Sequence, residues 1–142
     1  MRYNIIGDIH CRESFKSLLR DDCVNIFVGD YFSPYDENIS FADQVKIFED
    51  IIQYKKDHPE TVLLIGNHDC WSIDRRKESC RHAYVFWQIQ HDMFIDNKDL
   101  FKYAHIENNV LFTHAGVTKE WIEQNNFDLN EDYVYPGSTI SF

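Results

Sequence analysis

A chain of 142 residues, 44% hydrophobic and 15% aromatic, has the material for one packed domain and is not compositionally disordered. A formal charge of −10 argues against a non-specific nucleic-acid binder, which needs a basic surface to displace the counterions of phosphates. The N-terminus turns polar at Gly7-Asp8, too early for a secretory leader, and no stretch has the length of a membrane span, so the expectation is a cytoplasmic protein without membrane contact.

Taken in chain order, residues 3–6 read as a short buried strand that ends in Gly7-Asp8-Ile9-His10. Residues 13–20 space Phe15, Leu18 and Leu19 as a short amphipathic helix. A second strand over 24–28 ends in Gly29-Asp30-Tyr31 and leads into a polar loop over 33–38. Ser40 then predicts an N-cap with Asp43 near N3, for a helix with Phe41, Val45, Phe48, Ile51 and Ile52 on one face that stops at His58-Pro59. The third strand, 61–65, ends in Gly66-Asn67-His68-Asp69. Strand and helix alternating in this way predict an α/β fold with a βαβαβ unit and a parallel sheet.

Beyond Asp69 the character changes. Residues 70–80 are polar and charged and are expected as a loop over the strand ends, and 83–90 as a helix carrying Tyr84, Phe86 and Trp87. Residues 101–106 and 110–113 predict an antiparallel hairpin turning through Asn108-Asn109, after which come His114-Ala115-Gly116. Thr118 is expected to cap a last helix over 119–125 with Trp121 and Ile122 inward. The tail over 127–142 carries no assignment, and residues 1–142 are read as one domain. Cys11, Cys23, Cys70 and Cys80 show no CxxC spacing and are read as reduced thiols.

In open α/β sheets ligands sit outside the carboxyl ends of the strands, so the four strand-end motifs are expected to converge. Asp, Asn and His in such a set suit two divalent cations about 3.5–4 Å apart that share one carboxylate. Asp30 is the natural bridge. Asp8 and His10 would serve one cation, Asn67 and His114 the other, and His68 is the candidate general acid, since imidazole titrates near neutral pH. Among Arg75, Arg76 and Arg81, Arg81 is the candidate for holding a substrate phosphate through its planar fork, together with Asn67. His58, His82, His91 and His105 lie outside the motifs and are read as surface or satisfied side chains. Tyr31, Tyr35 and Trp71 would either stack a substrate ring or fill the core.

Gly7-Asp8-Ile9-His10, Gly29-Asp30-Tyr31, Gly66-Asn67-His68-Asp69 and Thr113-His114-Ala115-Gly116 resemble, in order, the signatures of the calcineurin-like metallophosphoesterases. The nearest branch in flavour holds the serine/threonine phosphoprotein phosphatases and the diadenosine-polyphosphate hydrolases. The resemblance spans roughly residues 3–122. It implies an α/β/β/α sandwich, two divalent ions (Mn, Fe or Zn) and attack on phosphorus by a metal-activated hydroxide. The implied activity is hydrolysis of a phosphomonoester or nucleotide-type substrate, with a phosphorylated small molecule or phosphoprotein as partner. By position, Asp8, His10, Asp30, Asn67 and His114 would be the ligands and His68 the catalytic histidine.

Three departures qualify that implication. Ser33 stands where the family has the Asp that supports the catalytic histidine, and an adjacent phosphate-binding Arg is missing; Asp36 or Asp69 would have to replace the carboxylate. Cys11 replaces a Gly. No His follows His114, where the family draws a further ligand. The second half of the sandwich is therefore expected to be shortened, its apolar face bare unless a second copy or another subunit completes it. The competing reading is a degenerate, non-catalytic module that binds metal or a phosphorylated partner.

Overall fold

The computed structural model describes residues 1–77, 84–124 and 133–134, the last pair by backbone alone. Period-two alternation in the strands builds its centre. β1 (Tyr3–Ile6), β2 (Val24–Phe27), β3 (Val62–Leu64) and the start of β4 (Phe101–Glu107) are parallel neighbours, and β5 (Val110–Thr113) runs antiparallel to β4. β6 (Tyr133–Val134) also pairs antiparallel with β4. The register sets Ile6 beside Phe27, Phe27 beside Leu63 and Leu63 beside Phe101, so four apolar side chains cross one face in a row. All four are buried.

Helices cover that face. α1 (Phe15–Leu18) contributes Phe15, and α2 (Phe41–Asp57) contributes Phe48, Ile51 and Ile52. Ser40 caps α2 as predicted, its Oγ accepting the Asp43 N–H at 3.1 Å. Phe48, Phe94 and Phe101 meet ring to ring, with centroids 5.0 and 5.2 Å apart for the first and last pairs in that series.

The opposite face carries Ile26, Val62 and Leu64, which pack with Phe112 from β5. The β4–β5 hairpin reaches back across the sheet: the Tyr3 and Phe112 rings are 4.9 Å apart, and Asn108 Nδ2 donates to the Tyr3 hydroxyl at 2.7 Å. The apolar face expected to be bare is thus covered at its centre, while Ile5 and Val110 at its edge stay exposed. Asn108 and Asn109 make the hairpin turn at φ 51° and 61°, the left-handed conformation that Asn tolerates.

Two segments differ from the sequence expectation. Residues 70–73 are not loop: α3 (Asn67–Ile73) starts directly behind the third strand. Gly66 is extended at the N-cap, the Asp69 carboxylate accepts its N–H at 2.8 Å, and Trp71 turns into the core. With only Trp71 and Ile73 as large apolar residues in about two turns, and those two positions apart, the pattern carries no helical period to read. The expected helix over 83–90 begins as a 3₁₀ turn at Tyr84–Phe86, and α4 runs Trp87–Asp96. Gln90 and Phe94 are its inward residues, four apart, and Trp87 Nε1 ties it to the Trp71 carbonyl at 2.8 Å. Tyr84 is exposed. α5 (Lys119–Gln124) is capped by Thr118, whose Oγ1 accepts the Trp121 N–H at 3.1 Å. Apart from β6, the unassigned tail lies outside the described residues. Among the described residues, no helix is long and apolar enough to cross a membrane.

Candidate metal centre

Past the ends of β1 and β2 the two chains stay in register. The Ile9 N–H donates to the Gly29 carbonyl at 3.4 Å, His10 to Asp30 at 2.7 Å and Cys11 to Tyr31 at 3.0 Å. This backbone ladder is what sets His10 beside Asp30. The loop after β3 closes from the other side through two glycines. A Cβ at Gly29, whose φ is +112°, would strike the backbone of Gly66, and one at Gly66 would strike Asp30 Oδ1 and N.

The buried Asp69 carboxylate holds the loops together. It accepts the N–H groups of Asp30, Tyr31 and Gly66 at 2.7, 2.9 and 2.8 Å. Burial first, and then repulsion from Asp30, push its carboxyl up to about 7, against the pull of those donors. Asp30 Oδ1 accepts the His68 N–H at 2.9 Å. Around this network His10, Cys11, Asp30 and Ser33 all have φ between 41° and 63°. Such left-handed residues cost about 1 kcal/mol or more each, and they persist where surrounding bonds over-determine them.

The donor atoms converge around one oxygen. His10 Nε2 lies 3.6 Å from Asp30 Oδ2 and 3.8 Å from Asp8 Oδ2. His114 Nε2 lies 3.7 Å from Asp30 Oδ2 and 2.9 Å from Asn67 Oδ1. Carbonyl oxygens fix both rings: His10 Nδ1 meets those of Phe32 and Ser33 at 3.0 and 2.9 Å, and His114 Nδ1 meets that of Val28 at 2.7 Å. A carbonyl accepts only, so each Nδ1 carries a proton, and each ring turns its Nε2 toward the Asp and Asn oxygens. An Nε2 without a proton meets those oxygens lone pair to lone pair unless a cation lies among them, and carbonyls that orient a ligand imidazole through its other nitrogen are a regular part of metal sites. The residues present therefore fit divalent cations. A ligand atom of His68 also falls with those of His10 and Asp30, and the second group of three is Asp8, Asp30 and His114. The His68 ring meets that of His10 edge to face at 5.1 Å.

Asp8, His10, Asp30, Asn67, His68 and His114, chosen from four separate motifs, are thus together. Asp69 is also here, but its described bonds go to backbone N–H groups. Asp36 is exposed and closes a turn by accepting the Asn38 N–H and Nδ2 at 2.9 Å each. Arg81 and His82 lie outside the described residues. Arg76 is bonded to Asp74 and Arg75 lies over the Trp87 ring. Tyr31 and Trp71 are core residues, the Tyr31 hydroxyl donating to the Leu64 carbonyl at 2.9 Å, whereas Tyr35 is exposed. Burial pushes the Cys11 and Cys70 thiols up to about 12, so neither offers a thiolate. One neighbour was missed from sequence: Arg12, two positions after His10, which lines a cleft of about 440 Å³ with Gly7, Asp8 and Phe15. Its proximity to the first motif was the available signal.

A family model described as calcineurin-like phosphoesterase matches residues 1–137. No curated protein sequence matches the chain.

Proposed function

The chain belongs to the calcineurin-like phosphoesterase family, and from that premise we propose that it is a metal-dependent hydrolase of a phosphomonoester or nucleotide-type substrate. The observation that carries the reading is the single Asp30 Oδ2 lying within 3.7 Å of the Nε2 atoms of both His10 and His114. Asp8, His10 and Asp30 would hold one cation, and Asp30, Asn67 and His114 the other, with Mn, Fe or Zn as the ions their donors suit. When bound, such cations supply positive charge that polarises phosphoryl oxygens and lowers the pKa of water.

The chain's own part is to hold these donors and to manage a proton. Second bonds to the carbonyls of Val28, Phe32 and Ser33 keep both ligand imidazoles in one tautomer. His68, buried beside His10, would hold a proton on its ring and give it to the departing oxygen. Its ring also lies close enough to the His10 and Asp30 donors to be a ligand instead.

The test is hydrolysis of an aryl phosphate by Mn²⁺-loaded protein. The general-acid role predicts that His68→Ala lowers turnover about 10²–10⁴-fold with Mn²⁺ stoichiometry intact. Loss of one ion per chain in that variant would make His68 a ligand and remove its role as acid. The degenerate-module reading is favoured by a specific observation: Ser33 stands where the resemblance expects the Asp that supports the catalytic histidine. Tight Mn²⁺ binding by calorimetry without hydrolysis would establish it.

A further inference from the structure

We propose that Arg12, seated on the ring of Tyr35, is an oxyanion-binding group beside the metal centre that takes a phosphoryl oxygen of a phosphomonoester. The inference rests on the hydrolase reading and names a substrate contact for that site. Arg12 follows the ladder that fixes His10, and its own N–H closes a turn on the Ile9 carbonyl at 2.9 Å. Its guanidinium carbon lies 5.3 Å from the Tyr35 ring centroid, and that ring in turn meets the His10 ring edge to face at 4.7 Å. Guanidinium, phenol and ligand imidazole are therefore in series, and the cleft that Arg12 lines is the one that Asp8 lines.

Charge makes the placement informative. The chain has 24 Asp and Glu against 14 Lys and Arg, so an arginine has carboxylates to choose from. Arg2 and Arg76 have made that choice, with Asp22 and Asp74 at 2.7 Å each. Arg12, like Arg20 and Arg75, makes no ion pair among the described residues, and what sets it apart is the cleft it shares with Asp8. A guanidinium whose fork is not occupied by a carboxylate, and whose freedom is reduced by an aromatic face, is suited to a tetrahedral oxyanion. Without cations, Asp8 and Asp30 would repel such a ligand. With them neutralised, Arg12 supplies the local positive charge on the protein side. Tyr35 is a positioning residue: its ring supports the guanidinium.

The probe is inorganic phosphate titrated calorimetrically into Mn²⁺-loaded and metal-free protein. Phosphate should bind the loaded form and bind the metal-free form far more weakly. Arg12→Ala should weaken phosphate binding about ten- to a hundredfold, as loss of a charge-assisted hydrogen bond does, with Mn²⁺ affinity unchanged. Arg12→Lys should recover part of the loss, and Tyr35→Ala should weaken binding less than Arg12→Ala. Arg2→Ala, which removes the same charge at the other end of β1, should also match wild type. Unchanged affinity in Arg12→Ala, equal weakening in Arg2→Ala, or no phosphate binding by loaded wild type would overturn the proposal. The two readings fail separately. Arg12-dependent phosphate binding without hydrolysis rejects the hydrolase alone, and hydrolysis with Arg12→Ala unaffected in KM rejects only the role of Arg12.

Discussion

The donor atoms around Asp30 fall into a buried inner group, with His10 and His68, and an open outer group, with Asp8 and His114. This division by burial cuts across the proposed pairing of Asp8 with His10, and the fold commits to the two groups to different degrees. On the inner side the His10 and Asp30 side chains are 2% and 3% exposed, and His10 is bonded to carbonyls on its other nitrogen. On the outer side Asp8 is 48% exposed, while His114 at 11% is anchored through Val28. The inner group is thus part of the packed structure, its geometry fixed by the backbone ladder and the Asp69 clamp before any ligand arrives. The outer group is open to solvent, and it borrows its order from the shared carboxylate.

The largest effect should come from breaking what is shared. Asp30→Asn keeps the shape and removes the charge that both groups use, so Mn²⁺ stoichiometry should fall by half or more. Hydrolysis should fall by more than the about hundredfold that follows loss of a group that only hydrogen-bonds a metal ligand. Atomic absorption on the purified variant checks the first and a phosphatase assay the second. A variant that keeps its full complement of metal would show that the two groups do not depend on Asp30 in common.

How much of this was readable beforehand follows from what carries a local signal. The runs ending at Ile6, Val28 and Ile65 are short, apolar and each closed by glycine, so the parallel unit and the convergence of its strand ends could be read directly. The Asn108-Asn109 turn and the Ser40 cap were equally local. The role of Asp69 was not, because its partners are backbone N–H groups from residues as far away as Asp30, and any residue type supplies an N–H. α3 was lost for want of a period, and the cover over the far face depends on a long-range contact between Tyr3 and Phe112 that neither segment announces. The seating of Arg12 likewise needs Tyr35, which lies on a different loop.

The clamp offers a second way to sharpen the comparison, through pH. A carboxyl raised from 3.8 to about 7 on folding means that the native state holds its proton more tightly than the unfolded chain. Its stabilisation is therefore fully present below about pH 4 and is lost as pH rises through about 7, a change on the order of a few kcal/mol. Repulsion from Asp30 is one cause, and cations on Asp30 remove it. The midpoint of chemical unfolding in chelator-treated protein should fall between pH 5 and 8, and should fall less with Mn²⁺ present. Because burial is the larger cause, the slope should shrink with metal but not vanish. Equal slopes with and without metal would detach Asp69 from the inner group.

The smallest change in the fold should come from the outer group, and it separates ligand from scaffold. Asp8→Asn removes an exposed carboxylate whose loss leaves no buried group unsatisfied, so unfolding stability should stay within about 0.5 kcal/mol of wild type. Mn²⁺ affinity should nevertheless drop measurably, since a hard anionic oxygen has become a neutral one. His10→Ala removes a ring that is 2% exposed and leaves the Phe32 and Ser33 carbonyls without its N–H. It should therefore lose metal affinity and stability together, with a stability cost of about 2 kcal/mol or more from the cavity and the stranded acceptors. Calorimetric Mn²⁺ titration paired with denaturant unfolding on both variants gives the four values needed. If Asp8→Asn destabilised the fold as much as His10→Ala, the outer group would be scaffold too, and the distinction between a committed inner side and an open outer side would not hold.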